Sequence, residues 1–175
     1  MTAGPASDPT PGTLGPVQIL TVAFDGNRFR GEILPLLERL KRHDVVRLID
    51  LLVVRKDSTG AIAVLTATDL TLEEAGDFGA YIGALVGLGA NGETGAALGA
   101  LVGAAESADG HILDAVDQMA LADAIPPGST AAIALIEHRW AIELREAIAR
   151  ADGVEVLNEW LQPGELIQIG LGTSS

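Results

Sequence analysis

The sequence predicts an α+β fold: two β-α-β halves form one antiparallel sheet with helices on one face, and a glycine-rich helical hairpin is inserted between the halves. Three observations carry the prediction. Branched apolar runs of strand length flank segments of helical period at both ends of the chain. In the middle, GAYIGALVG is followed by GAALGALVG, with glycine at every fourth position. The 175 residues, 48% of them apolar, suffice for one domain with a core of its own.

Residues 1–16, MTAGPASDPTPGTLGP, are rich in Pro, Gly, Ser and Thr and read as a tail. VQILTVAF, 17–24, is a strand by length and branching, and DGNRFRG turns the chain into EILPLLERLKRH. Ile33, Leu36, Leu37 and Leu40 give that helix one apolar stripe, with Pro35 tolerable near its first turn. RLIDLLVVRK, 47–56, is a second strand; DSTG at 57–60 reverses it into AIAVLTAT, the hairpin strand that completes the first half, 17–70. Thr71 and Glu74 have the spacing of a capping box, so a helix begins near Leu72 and runs through the first glycine repeat. LGANGET breaks it, and the second repeat completes a hairpin over 71–106. Ser107 or Asp109 then caps HILDAVDQMALADAI, an amphipathic helix within 107–125 with Ile112, Val116 and Met119 on its apolar face, stopped by PPGS. In the second half, 126–169, TAAIALIE is a core strand, RWAIELREAIARADG a helix closed by Gly153, and VEVLNEWL a further strand; 170–175 is a second tail. This order is that of a ferredoxin-like βαβ-βαβ plait carrying an insertion.

Gly79, Gly83 and Gly87, then Gly95, Gly99 and Gly103, lay a glycine ridge along each arm of the hairpin. Each glycine costs about 1 kcal/mol of helix propensity relative to alanine, so the ridges need compensation that only glycine permits. Close approach of two helix axes supplies it, as in small-xxx-small pairs. A flexible loop is the alternative, but loops do not keep a four-residue period with Leu and Val between. Ile82 and Val86 flank the first ridge and Leu98 and Val102 the second, while Phe78, Tyr81, Leu85, Ala97 and Leu101 lie on the far sides. Helices apolar all round must be covered all round.

Lipid, the rest of the chain and other copies of the protein are the candidate covers. As helices the uncharged runs rise only about 22 Å and about 18 Å, against about 30 Å of hydrocarbon. Glu73, Glu74, Asp77, Glu93 and Glu106 border them, and no Lys or Arg stands nearby to anchor at a headgroup. A membrane is disfavoured, with shallow insertion left open. One side of a small sheet covers only part of the hairpin. The expected partner is therefore the protein itself, in a homo-oligomer built through the six ridge glycines with Ile82, Val86, Leu98 and Val102.

The net charge of −13 excludes nucleic acid as a partner, because no counterions would be released by contact with its phosphates. Stretch 57–137 holds no Lys or Arg. Aromatics are only 3%, leaving few of the rigid anchors that deep ligand pockets use. Without cysteine there is neither disulfide nor thiolate chemistry. The first sixteen residues lack the basic and apolar regions of a secretory signal, and a cytoplasmic location is expected.

Two places invite chemistry. Arg28 and Arg30 stand between Gly26 and Gly31 before a helix, where free N–H groups could hold a phosphate or carboxylate; a plain turn with paired arginines is the competing reading. A period of two puts Asp50 on the same strand face as Leu48, Leu52 and Val54. A carboxylate there is the best single candidate for a ligand or catalytic site, against simple pairing with Arg47 or Arg28 or a place in a subunit contact. His43, His111 and His138 form no close-spaced metal set, and Asp109, His111 and Asp114 read as capping and solvation around a helix start. No catalytic residue, metal or cofactor is assigned. Trp140 and Trp160 read as core or edge packing.

GNRFRGEI, VVRLIDLLVVRKDSTG and IPPGSTAAIALIEHRWA resemble an actinobacterial domain-of-unknown-function family. The glycine repeat followed by an amphipathic helix and a PGS turn is similar to a bacterial group labelled "membrane protein of unknown function". The resemblance implies a plait with an inserted glycine hairpin and no activity. The expected function is non-enzymatic: self-assembly into a ring, shell or cage. The alternatives are a small ligand-binding sensor or enzyme using the sheet face near Asp50, and a peripheral membrane protein.

Overall fold

Four strands, β1 (Val17–Phe24), β2 (Val46–Lys56), β3 (Ile62–Ala67) and β4 (Thr130–His138), pair in the order β1-β4-β2-β3 with every neighbour antiparallel. A computed structural model describes residues 14–27 and 32–153. Arg28, Arg30, Trp160 and the expected strand VEVLNEWL lie outside the described residues. The helices are α1 (Ile33–Arg42), α2 (Leu72–Glu106), α3 (Ala115–Ala124) and α4 (Trp140–Arg150).

The fold is thus α+β, and the two parallel strands of the first β-α-β unit leave one strand's width between them. β4 fills it, pairing with β1 from Val17↔Glu137 to Phe24↔Thr130 and with β2 from Val46↔His138 to Arg55↔Thr130. Pairing on both edges satisfies the backbone groups of β4, whose stretch TAAIALI carries no charge. β3 extends the sheet beyond β2 through a tight reversal in which Asp57 Oδ1 accepts from the Thr59 and Ala61 N–H groups and the Thr59 hydroxyl. The Thr59 hydroxyl, then those amides, hold the Asp57 carboxyl below its usual range.

Leu52 and Val54 of β2 with Ala131 of β4 form the buried core against Leu121 and Ala122 of α3 and the following Ile125. Each fully buried Leu or Val side chain stabilises the fold by about 1.5–3 kcal/mol. The sequence expectation for α3 fails on its face and its cap. Val116 and Met119 point to solvent, and Ile112 precedes the helix; the cap is Asp114, whose side chain accepts from the Val116 and Asp117 N–H groups while Asp117 closes the box. The competing stripe of residues 121, 122 and 125 also lies within one helical face, and sheet packing chooses it.

β2 carries a bulge. Leu48 pairs with Ile136 but Asp50 with Leu135, so Ile49 is the extra residue and Leu48 does not share a face with Asp50, contrary to the period-two expectation. Helix α1 ends in a Schellman turn: Val45 N–H donates to Leu40 O and Asp44 N–H to Lys41 O, with Asp44 at φ 53. The expected stripe of α1 is only partly used, since Ile33 and Leu36 are exposed and Leu37 and Leu40 half-buried.

The chain divides after Ile142 into two units. In the second, the described residues are the remainder of α4 and its end, where Gly153 N–H donates to Ile148 O and Asp152 N–H to Ala149 O. The left-handed residue that closes this Schellman turn is Asp152, at φ 57, rather than the expected Gly153, which occupies the next position.

Candidate functional site

The glycine stretch folds as expected into a hairpin, within the single long element α2. Thr71 accepts from Glu74 N–H and the Glu74 carboxylate from Thr71 N–H, so the predicted capping box starts it. Glu74 also takes a 2.5 Å bond from Arg47 Nη2, which ties the base of the hairpin to β2. Burial pushes the Glu74 carboxyl up, but the Thr71 amide and the Arg47 guanidinium outweigh it and hold the group below its ordinary value. The break is narrower than LGANGET: only Asn91 (φ −141, ψ 25) and Gly92 (φ 63, ψ −150) leave helical geometry, and Gly92 takes a backbone conformation that side chains oppose.

The two ridges face each other in antiparallel register, Gly79 with Gly103, Gly83 with Gly99 and Gly87 with Gly95. A Cβ on Gly83 would strike the Gly99 carbonyl oxygen, and one on Gly99 the Gly83 carbonyl. The helices therefore approach until backbone meets backbone, replacing lost propensity with dispersion and Cα–H···O contacts. Within α2 only Ala75, Gly79, Gly95 and Gly103 are buried. The large residues point outward: Leu101 is 71% exposed, Val86 68% and Leu98 64%, with Tyr81, Ile82, Leu85, Leu88 and Val102 exposed beside them. Past its base, the hairpin makes no extensive contact with any other described element. No described helix is long and apolar enough to cross a membrane.

Asp50 is completely buried; Arg47 pairs with Glu74 instead, and Arg28 lies outside the described residues. Its Oδ2 accepts from the Ile112 and Leu113 N–H groups at 2.6 and 2.8 Å, and Oδ1 from Leu51 N–H and the His111 ring at Nδ1, both at 2.8 Å. Three of the four donors belong to the segment that leaves the hairpin and enters α3. Asp50 therefore anchors the hairpin exit to the central sheet; its register, opposite Leu135 as Leu52 is opposite Ile133 and Val54 opposite Ala131, keeps it on the face that α3 covers. Sequence reasoning found the Asp and missed His111, which stands 61 residues away and carries no local signal of the pairing. Asp109, read as solvating, accepts from His111 N–H and shapes the same turn.

The entry to the hairpin is fastened as well. Asp69 Oδ2 accepts from Leu48 N–H, its Oδ1 pairs with Lys41 at 2.6 Å, and the Thr68 hydroxyl donates to Ile49 O. The Asp69 hydrogen bond raises the Lys41 pKa against the opposing effect of burial. Glu137, buried at the far end of β4, accepts Gly15 N–H at Oε1; its Oε2 takes no hydrogen bond among the described residues and lies 3.8 Å from Arg139 Nη1. Trp140 is half exposed and meets the edge of His138 at 6.4 Å. Among the described residues no group of three His, Cys, Asp or Glu side chains is placed to hold a metal ion. What the geometry presents is a fastened base carrying an apolar arm, with Glu93 beside the break between its two helices. Comparison with protein-family models, with curated proteins and with solved structures gives no match, so function is argued from this geometry.

Proposed function

We propose that the protein is a non-enzymatic interaction protein that assembles with copies of itself through the glycine hairpin. One observation carries this: the glycine ridges are used up against each other inside one chain, and the aliphatic side chains flanking them are left bare. The ridge glycines then act indirectly, by holding the arms together, while Ile82, Val86, Leu98 and Val102 supply contact. Removing such surface from water is worth about 25 cal/mol per Å². The acidic residues at the base, Glu73, Asp77 and Glu106, stay in water, and a copy of the chain brings no surface that needs an anionic lipid or a basic groove.

Light scattering of detergent-free protein tests the reading. The expected mass is a multiple of 18.0 kDa, reduced to one chain by Leu98→Glu with Leu101→Glu, which alter the outer surface and leave the ridges alone. A wild-type monomer at micromolar concentration would overturn it. For the fold we propose a ferredoxin-like plait in which β1-β4-β2 are three neighbouring strands and β3 is an addition. A plait places one more strand on the outer edge of β1, so the outward amides of β1 should resist hydrogen exchange; rapid exchange there argues for a four-stranded sheet.

A further inference from the structure

The hairpin has two unlike faces. The repeat maps residue 79 onto 95, 83 onto 99 and 87 onto 103, and the ridge contacts pair the arms antiparallel, so a local two-fold axis runs through the plane of the hairpin. At 100° per residue, Ile82 and Val86 fall on one side of the first ridge, and the axis brings Leu98 and Val102 to the same face. The opposite face collects Ala80, Ala84, Ala96 and Ala100, all half-buried by their own small size between the arms. One face is a set of branched aliphatic knobs. The other is a nearly flat alanine floor.

We propose that assembly is head-to-tail, the aliphatic face of one copy seated on the alanine face of the next, closing into a ring. This rests on the self-association reading. Area favours a ring: two helices about 10 Å wide and about 20 Å long offer about 400 Å² a face, so one contact buries about 800 Å² in all. Stable specific interfaces bury about 1,200 Å² or more, so any single contact of this kind is undersized, and a two-fold dimer through the aliphatic faces has only that one and leaves the alanine faces wet. A closed head-to-tail ring gives every subunit two contacts and covers both faces.

Two variants decide it. Val86→Glu with Leu98→Glu blocks the aliphatic face; Ala84→Glu with Ala100→Glu blocks the alanine face. Head-to-tail packing predicts that each is a monomer alone, since neither can close a ring, and that an equimolar mixture, held to one undersized contact, forms nothing larger than a one-to-one pair. If the alanine-face variant keeps the wild-type mass, or the mixture regains it, the head-to-tail arrangement is wrong while self-association stands. A monomeric wild type defeats the parent reading instead. Circular dichroism confirms that each variant keeps its helix; where one does not, Gln replaces Glu at the same positions and the same outcomes apply.

Discussion

The central sheet and the glycine hairpin are both apolar, yet they reach order by opposite means. Under α3, large side chains fill space: Leu52 and Val54 are at most 2% exposed, and the buried carboxylate of Asp50 on the same strand face has four hydrogen-bond donors. In the hairpin the buried residues are those with the least side chain, and the large ones face outward. A core built by filling volume finishes inside one chain. A pair of helices built by removing volume brings backbones together and leaves its apolar content outside, where a second surface is required.

The largest expected effect breaks the hairpin and spares the sheet. Gly83→Leu puts a side chain where the Gly99 carbonyl lies, at a cost of about 3 kcal/mol or more, since backbone cannot give way as a side-chain tip would. Far-UV circular dichroism should lose helix and light scattering should lose assembly. Gly89, in the same arm, would present its Cβ to open space. Gly89→Ala should therefore stabilise the helix by about 0.5–1 kcal/mol, through propensity alone. Equal responses at the two glycines would show that close approach is not what the ridge provides.

Next comes the joint between the two regions. Asp50→Ala leaves the part-buried amides of Ile112 and Leu113 and the His111 ring without their acceptor, a loss of about 3 kcal/mol. Asp50→Asn keeps the shape and one carbonyl oxygen and should lose less. Urea denaturation followed by near-UV absorbance of the tryptophans orders the three proteins; an Asp50→Ala chain as stable as wild type would remove the anchor from the account.

Local chemistry was legible in the sequence, and contacts between distant residues were not. The bounds of β1, the DSTG reversal and the Thr71–Glu74 box follow from neighbouring residues, and each forms where expected. The ridge was legible because a four-residue glycine period has one physical use in a helix. Asp50 stood out as a carboxylate in an apolar strand on the face of Leu52 and Val54, but its partner His111, and the Ile49 bulge that puts Leu48 on the other face, are announced by no local pattern. Around helix α3 two apolar stripes compete, and only the sheet beneath it selects Leu121 and Ala122. Between hairpin faces, too, the sequence supplied the residues while the antiparallel pairing supplied the sides.

The smallest effect separates the regions by pH. His138, at the end of β4, has its ring Nε2 3.1 Å from Gln18 Oε1 on β1, and burial lowers its pKa from 6.5. The folded chain therefore holds the neutral ring while the unfolded chain takes up a proton as the pH falls below 6.5, so the contribution is complete above that value and is lost as the pH drops through the folded one. Glu74 loses its contribution only as the pH falls below 4.5, outside the interval between the two values. Across that interval wild-type denaturation midpoints should fall more steeply than those of His138→Gln, a difference that belongs to the sheet, since no histidine stands between 72 and 106. Parallel slopes in the two proteins would mean that the His138 ring stays solvated in the folded sheet and that the end of β4 is open to water.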